Sequence, residues 1–168
     1  MSFKIIIKLL NYCFALLIVT SLLTACATSK QSRLMKNSIN GNWILQTINT
    51  EGSSVKFTAK VFNEADLNCF IGSQWSFNAN NSLGSYTLSG NTPGCVALKR
   101  TIRWTLVETA ENPVQFQFKR LDDNRKPLDN NNGFRCILTM ADNNSMQLKS
   151  AFTLEGKEGN ILYNFIKK

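Results

Sequence analysis

From Gly41 to Lys168, apolar and polar residues alternate in short runs, and each run ends in a cluster of Asn, Asp, Gly or Ser. A period of two puts successive side chains on opposite faces of an extended chain, so this stretch predicts strands. Trp43, Leu45 and Thr47 share one face of a first strand, and Phe57, Ala59 and Val61 one face of a second. Trp75 and Phe77, then Tyr86 and Leu88, then Ile102, Trp104 and Leu106 mark the next three. Phe116 and Phe118, then Cys136, Leu138 and Met140, then Met146 and Leu148, and last Ile161, Tyr163 and Phe165 continue the pattern. Between the second and third strands, Glu64 to Phe70 predicts a short helical turn. Most connections are of hairpin length. The longest, Asp122 to Gly133, is turn chemistry throughout. Eight to ten strands in a row make an all-β antiparallel meander, which closes into an up-and-down barrel or packs as a sandwich. A barrel of eight strands has room inside for its own side chains, or for one small ligand. At 168 residues, with 11 Phe, 3 Trp and 3 Tyr, the chain has the apolar mass for one such core.

The first 25 residues predict a helical secretory leader. Lys4 and Lys8 supply its positive start, and Cys13 to Leu23 an apolar stretch of about 11 residues, short for a bilayer span. A single membrane-spanning anchor is the alternative. Leu23-Thr24-Ala25-Cys26 then resembles a bacterial lipobox, which implies cleavage before Cys26 and lipid on its sulfur. Several acyl chains give stable anchoring where one would be marginal. Residues 26–40 read as the anchor cysteine and a flexible, basic tether, and residues 41–168 as the barrel domain. Without Lys4 and Lys8 the exported chain keeps 17 basic residues against 11 acidic ones, about +6. Export disfavours nucleic acid as the partner of that charge.

With no histidine, the chain has no Ser-His-Asp triad, no Cys-His pair and no His-bearing zinc site. No phosphate loop, nucleophile elbow or metal-ligand cluster is present, so the expectation is a protein that is not an enzyme and carries no cofactor or metal. Asp122, Asp123 and Asp129 lack calcium-loop spacing and read as a polar turn. Glu108/Glu111 and Glu155/Glu158 lie in loop or turn contexts, with nothing to hold an acid and base at a defined separation. Three cysteines remain in the exported domain. Cys69 with Cys95 is the first choice of disulfide, since both lie beside turn-rich segments, and Cys136 reads as a small buried hydrophobe.

Asn40-Gly41-Asn42-Trp43 carries the Gly-x-Trp signature of lipocalins. Together with Asn68-Cys-Phe-Ile-Gly-Ser-Gln-Trp, Gly94-Cys95, Ile102-Arg-Trp, Phe116-Gln-Phe-Lys and Tyr163-Asn-Phe-Ile-Lys, it resembles the lipocalin-like lipoproteins of Bacteroidetes-type bacteria. The resemblance runs from Gly41 to Lys168. It implies an up-and-down barrel on an outer-membrane lipid anchor, with Cys69 and Cys95 paired. Lipocalins usually pack an Arg of the last strand over the signature Trp. No Arg stands on that strand here, which leaves Lys167 or Arg103 to take the place.

Two functions follow. In the first, the barrel binds a small hydrophobic or amphipathic ligand, with Trp75, Phe77, Tyr86, Trp104, Phe116 and Phe118 as candidate walls. Arg103, within the basic run Lys99-Arg100 and Arg103, is then the candidate for an anionic group. In the second, the barrel is filled and its surface works as an envelope structural or protein-interaction module. Small side chains facing inward would favour the first, and Trp and Phe stacked inward on adjacent strands the second. The expected form is a monomer on the periplasmic face of the outer membrane, since Ala27 is not the inner-membrane retention Asp and no acidic run follows Cys26. Replacing Cys26→Ser is expected to abolish incorporation of an alkyne-tagged fatty acid during growth. Unchanged labelling would place the anchor elsewhere.

Overall fold

A computed structural model describes residues 30–52, 60–109, 112–154 and 156–168. The expected leader, Cys26, Phe57, Ala59, Glu111 and Glu155 lie outside these residues. Residues 31–168 form one compact unit. The chain runs α1 (Lys30–Ile39), β1 (Gly41–Glu51), β2 (Lys60–Val61), β3 (Ala65–Asp66), α2 (Leu67–Phe70), β4 (Gln74–Asn78) and β5 (Leu83–Leu88). It continues through β6 (Leu98–Thr109), β7 (Asn112–Leu121), a 3-10 turn (Asp129–Asn131), β8 (Phe134–Ala141), β9 (Ser145–Leu154) and β10 (Lys157–Lys167). Each strand from β4 to β10 pairs antiparallel with its sequence neighbour. β1 pairs with β4 at its start (Trp43 opposite Trp75) and with β10 along its length (Trp43 opposite Lys167, Glu51 opposite Asn160). The result is a closed, eight-stranded, up-and-down barrel of the lipocalin-like kind that the sequence predicts. Closure leaves no open sheet edge.

The alternation locates the inward face along most strands, and β-bulges account for the exceptions. Register shifts between Leu45 and Thr47, and again between Leu138 and Met140. One extra residue reverses the phase of everything beyond it. Thr47 is therefore exposed, and Ile48 packs on the core instead. Met140 is 45% exposed, with Ala141 in its place. Of the expected second strand, the described residue Val61 belongs to the two-stranded β2–β3 ribbon and not to the barrel. The expected turn at Glu64 to Phe70 is helical only over Leu67–Phe70.

The flexible tether is corrected over residues 30–39. Met35 and Ile39 stand one helical turn apart, the spacing at which two side chains meet on one face. Ile39 is fully buried and Met35 packs against the core. This helix closes the end of the barrel at which β1 begins. Trp43 Nε1 donates to the Ile39 carbonyl at 2.7 Å. Lys167 Nζ lies 5.2 Å from the centre of the Trp43 ring and donates to the Ser38 carbonyl, so Lys167 takes the place of the missing arginine. Lys36 sits 5.4 Å over Trp104 and donates to Ser82 Oγ.

Replacing Ile39→Ala is expected to lower unfolding stability by about 2–5 kcal/mol, as core truncations do. Leu34→Ala, on the exposed side of the same helix, should change it by about 0.5 kcal/mol or less. Urea denaturation of residues 27–168 checks both. A neutral Ile39→Ala would return residues 30–39 to the status of a spacer.

Candidate functional site

The predicted aromatic walls meet inside the barrel. Trp75, Phe77, Tyr86, Trp104, Phe116 and Phe118 are all at most 3% exposed. They pack on one another: Trp75 lies 4.7 Å from Tyr86, and Trp104 stacks on Phe116 at 5.7 Å. Trp75 Nε1 is satisfied by Ser73 Oγ at 2.8 Å. Arg103 does not join them. It sits one residue out of phase with Ile102 and Trp104 and faces outward, opposite Lys119. The run Lys99-Arg100 and Arg103 is thereby split, since Arg100 turns inward with Ile102 and Trp104.

At the end opposite α1, the barrel is filled by a residue of the segment that carries the β2–β3 ribbon. Phe62 lies between β2 and β3, with φ +53°, in a left-handed conformation uncommon for a bulky side chain. Its ring meets five others: Phe70, Trp75, Phe118, Phe134 and Tyr163, with centroids 4.9 to 6.2 Å apart. Asn63 follows at φ +51° and turns the chain so that Glu64 points back at the strands.

Glu64 is the centre of a buried charged network above that ring. Its carboxylate accepts from Tyr86 Oη at 2.6 Å, from Arg100 Nε and Nη2 at 3.0 and 2.8 Å, and from Arg120 Nη1 at 2.7 Å. Arg120 in turn donates through Nε and Nη2 to Asp129 at 2.9 and 2.6 Å, a two-pronged pairing. Arg120 Nη1 also donates to the Asn63 carbonyl, and Asn63 Nδ2 to Asp129. Asp129, Asn130 and Asn131 all have positive φ, a conformation that short Asp and Asn side chains tolerate, and this turn presents Asp129 inward. Burial alone would raise the Glu64 pKa. The hydrogen bonds from Arg100, Tyr86 and Arg120 outweigh it and bring it from 4.5 to about 2. Burial, and then the bond to Glu64, push the Tyr86 hydroxyl up. Asp129 raises Arg120, and Arg120 lowers Asp129.

Cys69 on α2 and Cys95 in the β5–β6 loop form the predicted disulfide, which ties the plugged end to the wall. Cys136 is a buried free thiol whose pKa burial pushes up to about 12, as befits a core side chain.

Sequence reasoning missed Phe62, Glu64 and Arg120, placed Arg100 only in the basic run with Lys99 and Arg103, and assigned Asp129 to a polar turn. One signal was present. Arg100 and Arg120 fall in phase with the buried residues of their strands (Ile102 and Trp104; Phe116 and Phe118). A cation on an inward face calls for a buried carboxylate. Nothing in the alternation identifies Glu64 as that partner.

No protein-family model and no curated protein matches this sequence. Among solved structures the chain is similar to apocrustacyanin C2, with TM-score 0.44 and 14% identity over 85% of this chain and 71% of that one. It is also similar to lobster apocrustacyanin A1, with TM-score 0.41 and 15% identity over the same shares. The lipocalin-like class stated above rests on the closed strand order of this chain itself.

A carboxylate whose pKa is depressed on folding stabilises the fold above its unfolded pKa and loses that contribution as pH falls through the folded one. The Glu64 contribution is thus complete above about pH 4.5 and decays towards pH 2. Thermal midpoints measured between pH 7 and pH 2 should fall across that window. Glu64→Gln should lower the midpoint at pH 7 and flatten the acid limb. An acid limb identical to wild type would remove Glu64 from the network.

Proposed function

We propose that this chain is a non-catalytic, lipid-anchored member of the lipocalin-like lipoproteins of Bacteroidetes-type bacteria. It takes a small hydrophobic or amphipathic molecule into the plugged end of its barrel. The observation that carries the reading is the origin of the ring that fills that end. Phe62 arrives on a short segment outside the barrel, whereas every ring around it except Phe70 belongs to a barrel strand. A strand side chain cannot leave without breaking the sheet. A ring on a separate segment exchanges for a ligand when that segment lifts. The left-handed backbone at Phe62 opposes the plugged state by about 1–3 kcal/mol, which favours such an exchange. Tyr86, Arg100 and Arg120 would then face an amphipathic ligand's polar group in place of Glu64.

The lipobox-like residues 23–26 support the anchor, and the basic residues after Cys26 support the periplasmic leaflet of the outer membrane. The closed barrel, with no edge to pair, supports a monomer. The non-catalytic reading draws on the charged network: Glu64, Arg100, Arg120 and Asp129 are committed to one another. A second reading has its own observation. Trp104 and Phe116 stack inward on the adjacent strands β6 and β7, as they would in a permanently filled barrel whose surface does the work.

Residues 27–168, exported behind an ordinary cleavable leader, separate the two. N-phenyl-1-naphthylamine, a neutral apolar probe, should bind Phe62→Ala at one site per chain. Its affinity there should be at least tenfold above wild type, and a fatty acid should displace it. Native mass spectrometry with lipid extraction should find a co-purifying lipid in the wild type. A folded Phe62→Ala barrel that binds no probe, with no lipid in either protein, would leave the filled-barrel reading standing.

A further inference from the structure

Outside the barrel, β6, β7 and β8 carry a groove of about 1130 Å³, and its charge is of one sign. Strand register sets its floor. Arg103 on β6 stands directly opposite Lys119 on β7, and Gln117 opposite Arg135 on β8, which makes Lys119 and Arg135 diagonal neighbours. Arg125, at φ +61° in the loop between β7 and β8, joins them from the wall. No carboxylate lines this groove. The loop's Asp129 is held by Arg120, and Asp122 accepts from the backbone of Lys126 and sits outside the lining. Like charges directly opposite on an antiparallel pair are destabilising. Here three adjacent strands present cations in a row, with no carboxylate among the described lining residues.

That row has a length. Arg103 and Arg135 are two strand spacings apart across the sheet and two residues apart along it, about 12 Å in all. One small oxyanion does not reach both, and a chain bearing several does. Guanidinium groups take phosphate, sulfate and carboxylate oxygens two at a time. Between them stand amides, Gln117 and Asn132, with the donor and acceptor capacity that sugar hydroxyls use. The β7–β8 loop flanks the row, and this concave shape suits a chain laid along it better than a flat lipid surface.

We propose that this groove binds an acidic glycan, a saccharide chain whose phosphate, sulfate or carboxylate groups pair with Arg103, Arg125 and Arg135. The proposal stands apart from the interior site and does not depend on it. The test titrates residues 27–168 by calorimetry with a heparin tetrasaccharide and a galacturonate tetramer, against inorganic pyrophosphate and vesicles of 30% phosphatidylglycerol. A saturable one-to-one complex with at least one tetrasaccharide is expected. The combined variant Arg103→Gln, Arg125→Gln, Arg135→Gln should weaken it at least tenfold. The combined variant Lys99→Gln, Lys149→Gln, Lys157→Gln removes the same charge elsewhere and should change it less than twofold. Equal losses in the two variants would reduce the effect to net charge. Pyrophosphate binding as tightly as the tetrasaccharides, arginine-dependent vesicle binding, or no binding at all would each overturn the proposal.

Discussion

The pairing of β1 with both β4 and β10 is the constraint from which the rest of the molecule follows. It turns a meander into a closed wall, and a closed wall of eight strands encloses a volume that side chains can just fill. Between bulges, alternate residues of each strand then face a common interior. With aromatic residues at so many of those positions, the interior becomes a packed stack of rings, with Trp75 touching several others and Trp104 touching Phe77 and Phe116. Closure also creates two open ends, and the chain seals them by different chemistry.

At the α1 end the seal is apolar with cations laid over indoles. Ile39 drops into the barrel, Lys167 covers Trp43, and Lys36 covers Trp104. The long side chains bury their stems while their charged heads find carbonyl or hydroxyl oxygens. At the other end the seal is a ring with a charged clasp. Phe62 fills the space, and Glu64 draws Tyr86, Arg100 and Arg120 onto one carboxylate. Removing one partner from a buried ion pair leaves the other unsatisfied, which costs far more than the intact pair contributes. The clasp therefore specifies a single closed arrangement of a segment that shares no sheet with the barrel.

This division assigns different work to different surfaces. The interior near α1 is built from strand residues together with Ile39 of the helix and serves as core. The far end is held by side chains on a separate segment, Phe62 and Glu64. The outer face of β6 to β8 has a row of cations that no carboxylate among the described lining residues answers. Inward and outward positions alternate along each strand, so the two faces of this barrel carry independent chemistry.

Much of this was legible in the sequence. The two-residue period and its punctuation specify an antiparallel meander, because alternation is a local property of an extended chain. The aromatic interior, the buried Cys136 and the Cys69–Cys95 pairing follow that reading closely. Lys167 over Trp43 answers the one departure noted from the lipocalin pattern. What escaped was non-local. A bulge after Leu45 or Leu138 changes phase through its partner strand, so Thr47 and Met140 point outward against their own alternation. Met35 and Ile39 become a helical face only because the end of a barrel lies beneath them. Glu64, Arg100, Arg120 and Asp129 are scattered over 66 positions of the chain, and only the closed fold brings them within hydrogen-bonding distance. The sequence by itself determined the strands and what their alternate faces carry, since both depend on neighbouring residues. Tertiary structure decided which segment plugs the barrel, which carboxylate neutralises the inward cations and which cations stand unanswered outside, since each depends on register and closure across distant strands.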